Sequence, residues 1–320
     1  MNKMVFLDQA SLPGVNLTSL QALGFELQSY PQTTPELVIP RLQQTTVAIV
    51  NKVVLDANTL QQLPALKLIC VTATGINNVD LAAATAAGIL VCNARDYARE
   101  AVPQHAMALL LALVNQVLPY QQAIARGDWS KSPQFCLLDY PIRQLSGLNF
   151  VVVGYGGLGQ ATAQLAKAFG MNILIAERPD ATTVRPGRLA FQQALQQADV
   201  LSLHCPATAE NQQLINAETL SWLKKDAIIL NTARGSMIDS AALAHALKNG
   251  LLGGAALDVL EQEPPPATHP LLDPAVPNLL LSPHVGWASS QAMQALVEQS
   301  AENIIAWQQK KALRCCNSIN

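Results

Sequence analysis

The stretch "FVVVGYGGLGQATAQLAKAFG", residues 150–170, limits what this chain can fold into more than any other. A β-branched apolar run stops at Gly154, glycines recur at Gly156 and Gly159, and helical spacing begins at once. In a strand that turns directly into a helix, each glycine of Gly-x-Gly-x-x-Gly has its own physical task. The first permits the tight turn, the second lets backbone approach a pyrophosphate, and the third lets helix and strand pack closely. An acidic residue, Glu177, ends the next run, "NILIAE", 18 residues after the third glycine. A carboxylate there accepts hydrogen bonds from adenosine ribose hydroxyls and repels a 2′-phosphate. The pattern predicts a dinucleotide site and favours NAD. Arg178, one residue on, keeps NADP open, because a guanidinium past the strand end pairs with a 2′-phosphate.

The rest of the chain alternates in the same way. The runs "MVFL", "VAIV", "LKLICV" and "GILVC" fill the first 92 residues, separated by helix-like "LTSLQALG", "ANTLQQLP" and "NVDLAAATAAG". This βαβ rhythm implies a parallel sheet. The segment "VPQHAMALLLALVNQVLPYQQAIARG" reads as one long helix with Pro103 in its first turn and Gly127 as its stop. A second series, "FVVVG", "NILIA", "DVLSLH", "DAIILN", "GAALDV" and "NLLLSPH", has the six strands of a doubly wound fold. The final segment, "SSQAMQALVEQSAENIIAWQQKKA", is an amphipathic helix with apolar positions at Met293, Leu296, Val297, Ile304, Ile305 and Trp307. With no sheet left to join, it is expected to pack back on the first domain. The expectation is therefore a discontinuous domain of residues 1–99 plus 289–320, interrupted by a second domain of residues 100–288.

A chain of 320 residues that is 50% apolar and 13% charged is large enough for two such domains and a sizeable core. Its net charge of −2, without a long basic run, argues against nucleic acid or an anionic membrane as partner. The N-terminal apolar run is too short for a signal peptide, and "AMALLLALVNQVL" falls short of the roughly 20 residues that span a bilayer. Cys70, Cys92, Cys136, Cys205, Cys315 and Cys316 form no Cys-x-x-Cys pair; they read as reduced thiols of a cytoplasmic protein, with Cys315 and Cys316 exposed and no metal site.

In open α/β sheets ligands sit beyond the carboxyl ends of the strands. Four polar residues fall there: Arg234 in "AIILNTARGS", Asp258 and Glu263 in "AALDVLEQEPPP", and His284 in "LLLSPHVGW". Singly each has a plain explanation as a surface charge, a solvated carboxylate or a turn residue. Together they suit one reaction. A hydride donor handles half of a carbonyl reduction; the oxygen needs a proton, and a 2-oxo acid needs a cation for its carboxylate. Arginine supplies a planar, always-charged fork, histidine a proton near neutral pH, and glutamate orients and charges the imidazole.

The glycine fingerprint, "NTARG", "GAALDVLEQEPP" and "SPHVGWAS", in this order and spacing, resemble the D-isomer-specific 2-hydroxyacid dehydrogenases over essentially the whole chain. The N-terminal "VTATGINNVD", together with "AERP" and the Trp of "PHVGWAS", is most similar to the D-glycerate dehydrogenase (hydroxypyruvate reductase) branch. The resemblance implies two Rossmann-like domains, a doubly wound NAD-binding domain inserted into a flavodoxin-like substrate domain. It implies that Arg234 binds the substrate carboxylate, that His284 is the acid/base, and that Glu263 is its partner. It places Thr74 and the N–H groups of Gly75 and Ile76 at the carboxylate, and Gly157 and Leu158 under the pyrophosphate. Glu177 falls at the ribose, Thr232, Ala233 and Asp258 at the nicotinamide side, and Cys205, Pro206 and Gly286 near the cofactor. Trp287 would close the pocket. Lys52, after "VAIVN", is a further candidate for the carboxylate, beside its plainer reading as a solvated lysine. Glu177 and Ile76 stand where relatives often carry Asp and Tyr, which bears on cofactor and substrate choice. Family members are usually homodimers. The reaction implied is NADH-dependent reduction of hydroxypyruvate to D-glycerate, with glyoxylate, phosphoglycerate or a longer 2-oxo acid as alternatives. A non-catalytic NAD(H)-sensing protein like the corepressor relatives is the rival from another class.

Overall fold

A computed structural model describes residues 2–318. The chain divides into two compact units, one ending at Ala98 and resuming at Ala288, the other running from Arg99 to Trp287. Among the described residues the strands are β1 (Lys3–Phe6), β2 (Glu26–Ser29), β3 (Thr45–Val50), β4 (Leu68–Val71), β5 (Leu90–Cys92), β6 (Asn149–Val153), β7 (Asn172–Ala176), β8 (Val200–Leu203), β9 (Ile228–Asn231), β10 (Gly254–Leu257) and β11 (Leu279–Leu281).

The first unit holds a parallel five-stranded sheet in the order β2-β1-β3-β4-β5. This is the flavodoxin-like arrangement, with a topological switch between β1 and β3. Alternate residues Val5, Ala48, Val50, Ile69, Val71 and Val91 form a buried cluster with helix residues Val38, Leu42, Leu60 and Ala84. Helix Ser290–Gln308 returns to this unit and packs against β4, burying Met293, Leu296, Val297 and Ile304. Ile305, expected on the buried face, is 40% exposed, and the small or polar Ala301, Ser300 and Asn303 are buried instead.

In the first unit one strand and one α-helix escaped the sequence reading. β2 is an edge strand, "ELQS", with no alternating apolar face and little burial. Helix Pro35–Leu42 carries Pro40 inside it, which breaks the usual helical signature. The C-terminal thiols also differ from expectation. The backbone at Cys315 pairs antiparallel with Cys92 on the edge strand, the two free thiols lie 3.7 Å apart, and Cys315 and Cys316 are half-buried.

The second unit has a six-stranded parallel sheet, β11-β10-β9-β8-β6-β7, covered on both faces. Val151, Val153, Leu201, Leu203, Ile229, Ala255 and Leu257 face one helix layer. Phe150, Val152, Val200, Ile228, Leu230 and Ala256 face the other, which includes Met107, Leu110, Ala163 and Ala166. Burial on both faces is why these strands read as continuous apolar runs rather than as alternation.

The expected long helix is broken. It runs Ala101–Val114, stops at Asn115, and resumes as Val117–Ala125 after a bend of 57°. Pro119 explains the break: it has no N–H for the Asn115 carbonyl, and its ring would collide with that carbonyl in a continuous helix. Gln116 absorbs the turn in the left-handed region, at φ 54° and ψ 37°. Among the described residues no single helix is long and apolar enough to cross a membrane.

Left-handed backbone is costly for a β-branched residue and free for glycine. Gln116→Val is therefore expected to lower the unfolding free energy by about 1–2 kcal/mol in urea titrations, and Gln116→Gly to leave it unchanged or raised. Equal destabilisation by both would show that the conformation at Gln116 is not what sets the break.

Candidate active site

The register of the second sheet gathers the candidate residues. Ala176, Val153, Leu203, Asn231, Leu257 and Leu281 form one continuous row of hydrogen-bonded neighbours across it. Every strand is parallel, so the segment leaving each row member emerges at the same edge. These segments carry Glu177, the glycine fingerprint, Cys205 and Pro206, Thr232 to Arg234, Asp258 to Glu263, and Ser282 to Gly286. The topological switch lies between β6 and β8, so the loops after Val153 and Leu203 diverge at this edge.

The fingerprint has the geometry a dinucleotide requires. Gly154 has φ +93°, and a Cβ there would lie 2.5 Å from the Cys205 backbone nitrogen. A Cβ on Gly159 would sit 2.2 Å from the Gly154 carbonyl oxygen, whereas one on Gly156 would meet open space. Helix Gly157–Ala168 starts here without a side-chain cap. Its first backbone bond runs from Gln160 N to Gly156 O, so the N–H groups of Gly157, Leu158 and Gly159 precede the ladder and are available to an anion. Thr232 Oγ1, at the end of β9, is buried with no hydrogen-bond partner among the described residues, as suits a side chain awaiting a polar ligand. Asn231, fully buried, holds this loop through Ala233 N (3.0 Å) and the Arg234 carbonyl (2.9 Å).

The Cys205 thiol is pushed up by burial and lies 3.3 Å from the Met237 sulfur, which argues for packing rather than nucleophilic chemistry. The Pro206 carbonyl accepts from Asn211 Nδ2 at 2.6 Å, fixing the loop. His204 is pushed down to about 4 by burial and is neutral at physiological pH. Glu177 is almost fully buried, and its carboxylate is engaged by Arg185 and by the Arg178 N–H.

His284 and Glu263 are paired. Nδ1 of His284 lies 2.6 Å from Glu263 Oε2, and Glu263 Oε1 accepts from Leu260 N at 3.0 Å. A carboxylate only accepts, so Nδ1 carries the hydrogen, and Nε2 is the ring nitrogen outside this pairing. Both side chains are about one-third exposed, within reach of solvent. His284 also adopts φ 55°, a conformation uncommon for a non-glycine residue. Its N–H is held by the carbonyls of Asp258 (2.8 Å) and Ser282 (3.0 Å).

Asp258 organises this loop. Its buried carboxylate accepts from Gly286 N (2.8 Å), Val285 N (3.0 Å) and Ser282 Oγ (2.5 Å), with His105 Nε2 at 3.3 Å. Burial acts to raise the Asp258 carboxyl, but the hydrogen bonds from His105, Ser282 and the two backbone N–H groups outweigh it and hold the group below its ordinary value. Gly286 is thus packed against Asp258. His105, on helix Ala101–Val114, and Ser282 (Nε2 to Oγ, 2.8 Å) were not singled out in sequence; 177 residues separate them, and no local pattern marks the pair.

Arg234 lies past β9, exposed, and its guanidinium donates to the Ala233 carbonyl at 2.6 Å. No carboxylate pairs with it among the described residues, which leaves the cation for an acidic ligand. Trp287 donates from Nε1 to the His284 carbonyl (2.9 Å), tying the indole to the histidine loop.

In the first unit, Lys52 follows β3 and Thr74, Gly75 and Ile76 follow β4; Val50 and Val71, at the ends of these adjacent strands, are register partners. Asp8, missed in sequence, accepts from the N–H groups of Asn51 (2.9 Å), Lys52 (2.7 Å) and Val53 (3.2 Å) and so shapes the Lys52 loop. Asn93 Nδ2 donates to the Thr74 carbonyl at 2.8 Å, and Ile76 packs against the core.

A family model described as D-isomer specific 2-hydroxyacid dehydrogenase, NAD binding domain, matches residues 107–286. The chain belongs to this family. It is similar to the glycerate dehydrogenase of Methylorubrum extorquens, with 44% identity over 308 residues covering 95% of this chain and 96% of that protein. The hydroxypyruvate reductase of Blautia hydrogenotrophica is 34% identical, covering 94% and 95%. A solved structure of a Thermus thermophilus protein matches with a TM-score of 0.86 at 32% identity, covering 98% of this chain and 99% of that one. The protein is accordingly an NAD-dependent oxidoreductase acting on a CH–OH group, and the second unit is its NAD-binding domain.

Asp258→Asn replaces an acceptor of two backbone N–H groups with one that cannot satisfy both, at a cost of about 1–3 kcal/mol at pH 7. The folded value lies below the ordinary 3.8, so the carboxylate contributes stability above that pH and loses it as the pH falls through the folded value. Urea unfolding is expected to show the gap between wild type and Asp258→Asn closing below about pH 4. A gap that persists unchanged in acid would contradict an ionised Asp258.

Proposed function

We propose that this dehydrogenase reduces hydroxypyruvate to D-glycerate with NADH, reversibly, and that glyoxylate is a second substrate of the same site. The observation that carries the reading is the His284–Glu263 pair at 2.6 Å, at the sheet edge from which Arg234 also emerges. The similarity to proteins named glycerate dehydrogenase and hydroxypyruvate reductase supports the choice of substrate within the family.

The division of labour follows from the side chains. Gly157 and Leu158 hold the pyrophosphate by backbone N–H groups, while Thr232, Ala233, Asp258 and Gly286 border the nicotinamide side with Cys205 and Pro206 nearby. The bound cofactor supplies a hydride to the substrate C2. Arg234 grips the substrate carboxylate and draws electron density from the carbonyl oxygen. His284, oriented by Glu263, gives its Nε2 proton to that oxygen; in the reverse direction the same nitrogen takes it. Asp258 keeps the loop in the conformation that presents the imidazole. Thr74 and the N–H groups of Gly75 and Ile76 are the carboxylate donors proposed for the first unit, with Lys52 as a further cation. Trp287 limits the size of the group on C2.

We place the protein in the cytoplasm, consistent with its six free cysteines, and propose a homodimer with no nucleic-acid or membrane partner. Dimerisation is supported by seven exposed large apolar side chains within residues 117–142: Val117, Leu118, Ile124, Trp129, Phe135, Leu138 and Ile142. The non-catalytic alternative is disfavoured because the acid/base, its carboxylate partner and an uncommitted arginine are all present.

Comparison of kcat/KM over a panel of 2-oxo acids is expected to rank hydroxypyruvate first, glyoxylate second, and bulkier acids such as 2-oxoisocaproate lower by about tenfold or more. The product should be D-glycerate by chiral analysis. Cofactor binding without turnover of any 2-oxo acid would instead favour the sensing reading.

A further inference from the structure

The first unit gathers cysteines that the dehydrogenase chemistry does not use. Cys92 ends β5, and its register partner on β4 is Cys70. On the open side of β5 the chain returns after its last helix, and the backbone at Cys315 pairs antiparallel with Cys92. Register partners share a sheet face, so Cys70, Cys92 and Cys315 form one row across three neighbouring segments. Cys316 belongs to the other face, where it packs in the cluster that holds Val71 and Val91. Among the described residues no group of three His, Cys, Asp or Glu could hold a metal ion, so the row is not a metal site.

The backbone bonds around Cys92 and Cys315 define the geometry of the pair. Asn93 N donates to the Arg314 carbonyl at 3.1 Å, and Cys316 N donates to the Val91 carbonyl at 2.8 Å. Both bonds flank the two cysteines and neither joins them, so this is a non-hydrogen-bonded antiparallel pair. In such a pair the Cα atoms stand about 4.5 Å apart and the side chains are at their closest. That spacing falls within the roughly 4.4–6.8 Å that a disulfide accepts. The sulfurs are already 3.7 Å apart. Closing them to a bond of about 2.0 Å asks for side-chain rotation rather than backbone movement. The two thiols also differ in access. Cys92 is buried, and burial together with the neighbouring thiols pushes it up, so it stays protonated. Cys315 is half-buried and is the one that solvent reaches.

We propose that Cys92 and Cys315 are an oxidisable pair, a dithiol under reducing conditions and a disulfide after exposure to a hydroperoxide, and that the disulfide pins the C-terminal segment to the edge of the first sheet. With hydrogen peroxide the Cys315 thiolate attacks one peroxide oxygen, the O–O bond breaks, and a sulfenic acid and one water result. The Cys92 sulfur then attacks the Cys315 sulfur and displaces the hydroxyl, which leaves as a second water with the Cys92 proton. Two thiols lose two electrons and two protons, and the peroxide takes up both. The cysteines are separated by 223 residues, and the ring they close contains the whole of the second unit. A ring of this length removes freedom chiefly from the unfolded chain, so oxidation stabilises the fold.

The test treats the full chain with hydrogen peroxide, blocks the remaining thiols with N-ethylmaleimide, and maps the tryptic peptides by mass spectrometry. Cys70 and Cys92 share the tryptic peptide 68–95, and Cys315 and Cys316 share 315–320, so fragmentation of the linked pair assigns the bond. The expected result is a disulfide between Cys92 and Cys315 and a fall from six free thiols to four. The oxidised protein should also show a Tm about 5 °C or more above that of the same sample reduced with dithiothreitol. Cys315→Ser is expected to lose both the bond and the Tm shift, and Cys136→Ser, in the second unit, to keep both. The wild-type peptide map decides the bond whether or not Cys315→Ser folds. A bond within either peptide, a bond to Cys136, or Cys92 and Cys315 left free once the peroxide has oxidised Cys136 would overturn the proposal. So would a Tm that does not rise when the bond forms.

Discussion

The active-site edge of the second unit depends on one buried anion, the carboxylate of Asp258. Among the described residues it pairs with no lysine or arginine; it is used to hold backbone. Two successive N–H groups, of Val285 and Gly286, point at its oxygens, and the Ser282 hydroxyl and the His105 ring close the remaining sides. The residue between these donors, His284, is thereby held at a positive φ that a histidine seldom adopts unaided. The catalytic candidate is therefore placed from two directions: its backbone by Asp258 and its ring by Glu263. A small movement of either carboxylate would move the candidate proton donor, and positioning on the ångström scale matters to rate.

That arrangement is possible because the sheet is parallel and in register. Strand after strand delivers its carboxyl end to one edge, so residues distant in sequence become neighbours without any long loop having to fold on itself. The same geometry brings free N–H groups at the start of helix Gly157–Ala168 to the edge that carries Arg234 and His284. In the first unit the switch between β1 and β3 is used in a parallel way, with the Asp8 carboxylate gathering the N–H groups of residues 51–53. Two buried aspartates thus do for two loops what a helix cap does for a helix end.

Much of this was legible in the sequence because parallel strands buried on both faces leave unmistakable apolar runs; all six strands of the second sheet were marked that way. β2 was not, because an exposed edge strand has no apolar face to display, and helix Pro35–Leu42 was hidden by its internal proline. The break at Gln116 had its signal in Pro119, outweighed by the apolar run before it. Arg234, Glu263 and His284 could be singled out as candidates because chemistry limits what may follow a strand end. His105, Ser282 and Asp8 were not, since their partners lie far away in sequence. Arg185 is an intermediate case: three arginines within "ERPDATTVRPGR" announce a cationic loop, but that one of them would lock Glu177 follows only from the fold.

Glu263 and Asp258 matter to the reaction only if the group they hold is the proton donor. The most direct measurement is kcat/KM for hydroxypyruvate reduction by His284→Gln, with Kd for NADH measured on the same protein. Loss of a general acid predicts a fall of about 10²- to 10⁴-fold, with cofactor binding retained. Activity within about threefold of wild type would contradict the role assigned to His284, and with it the reason for the buried aspartate beneath it.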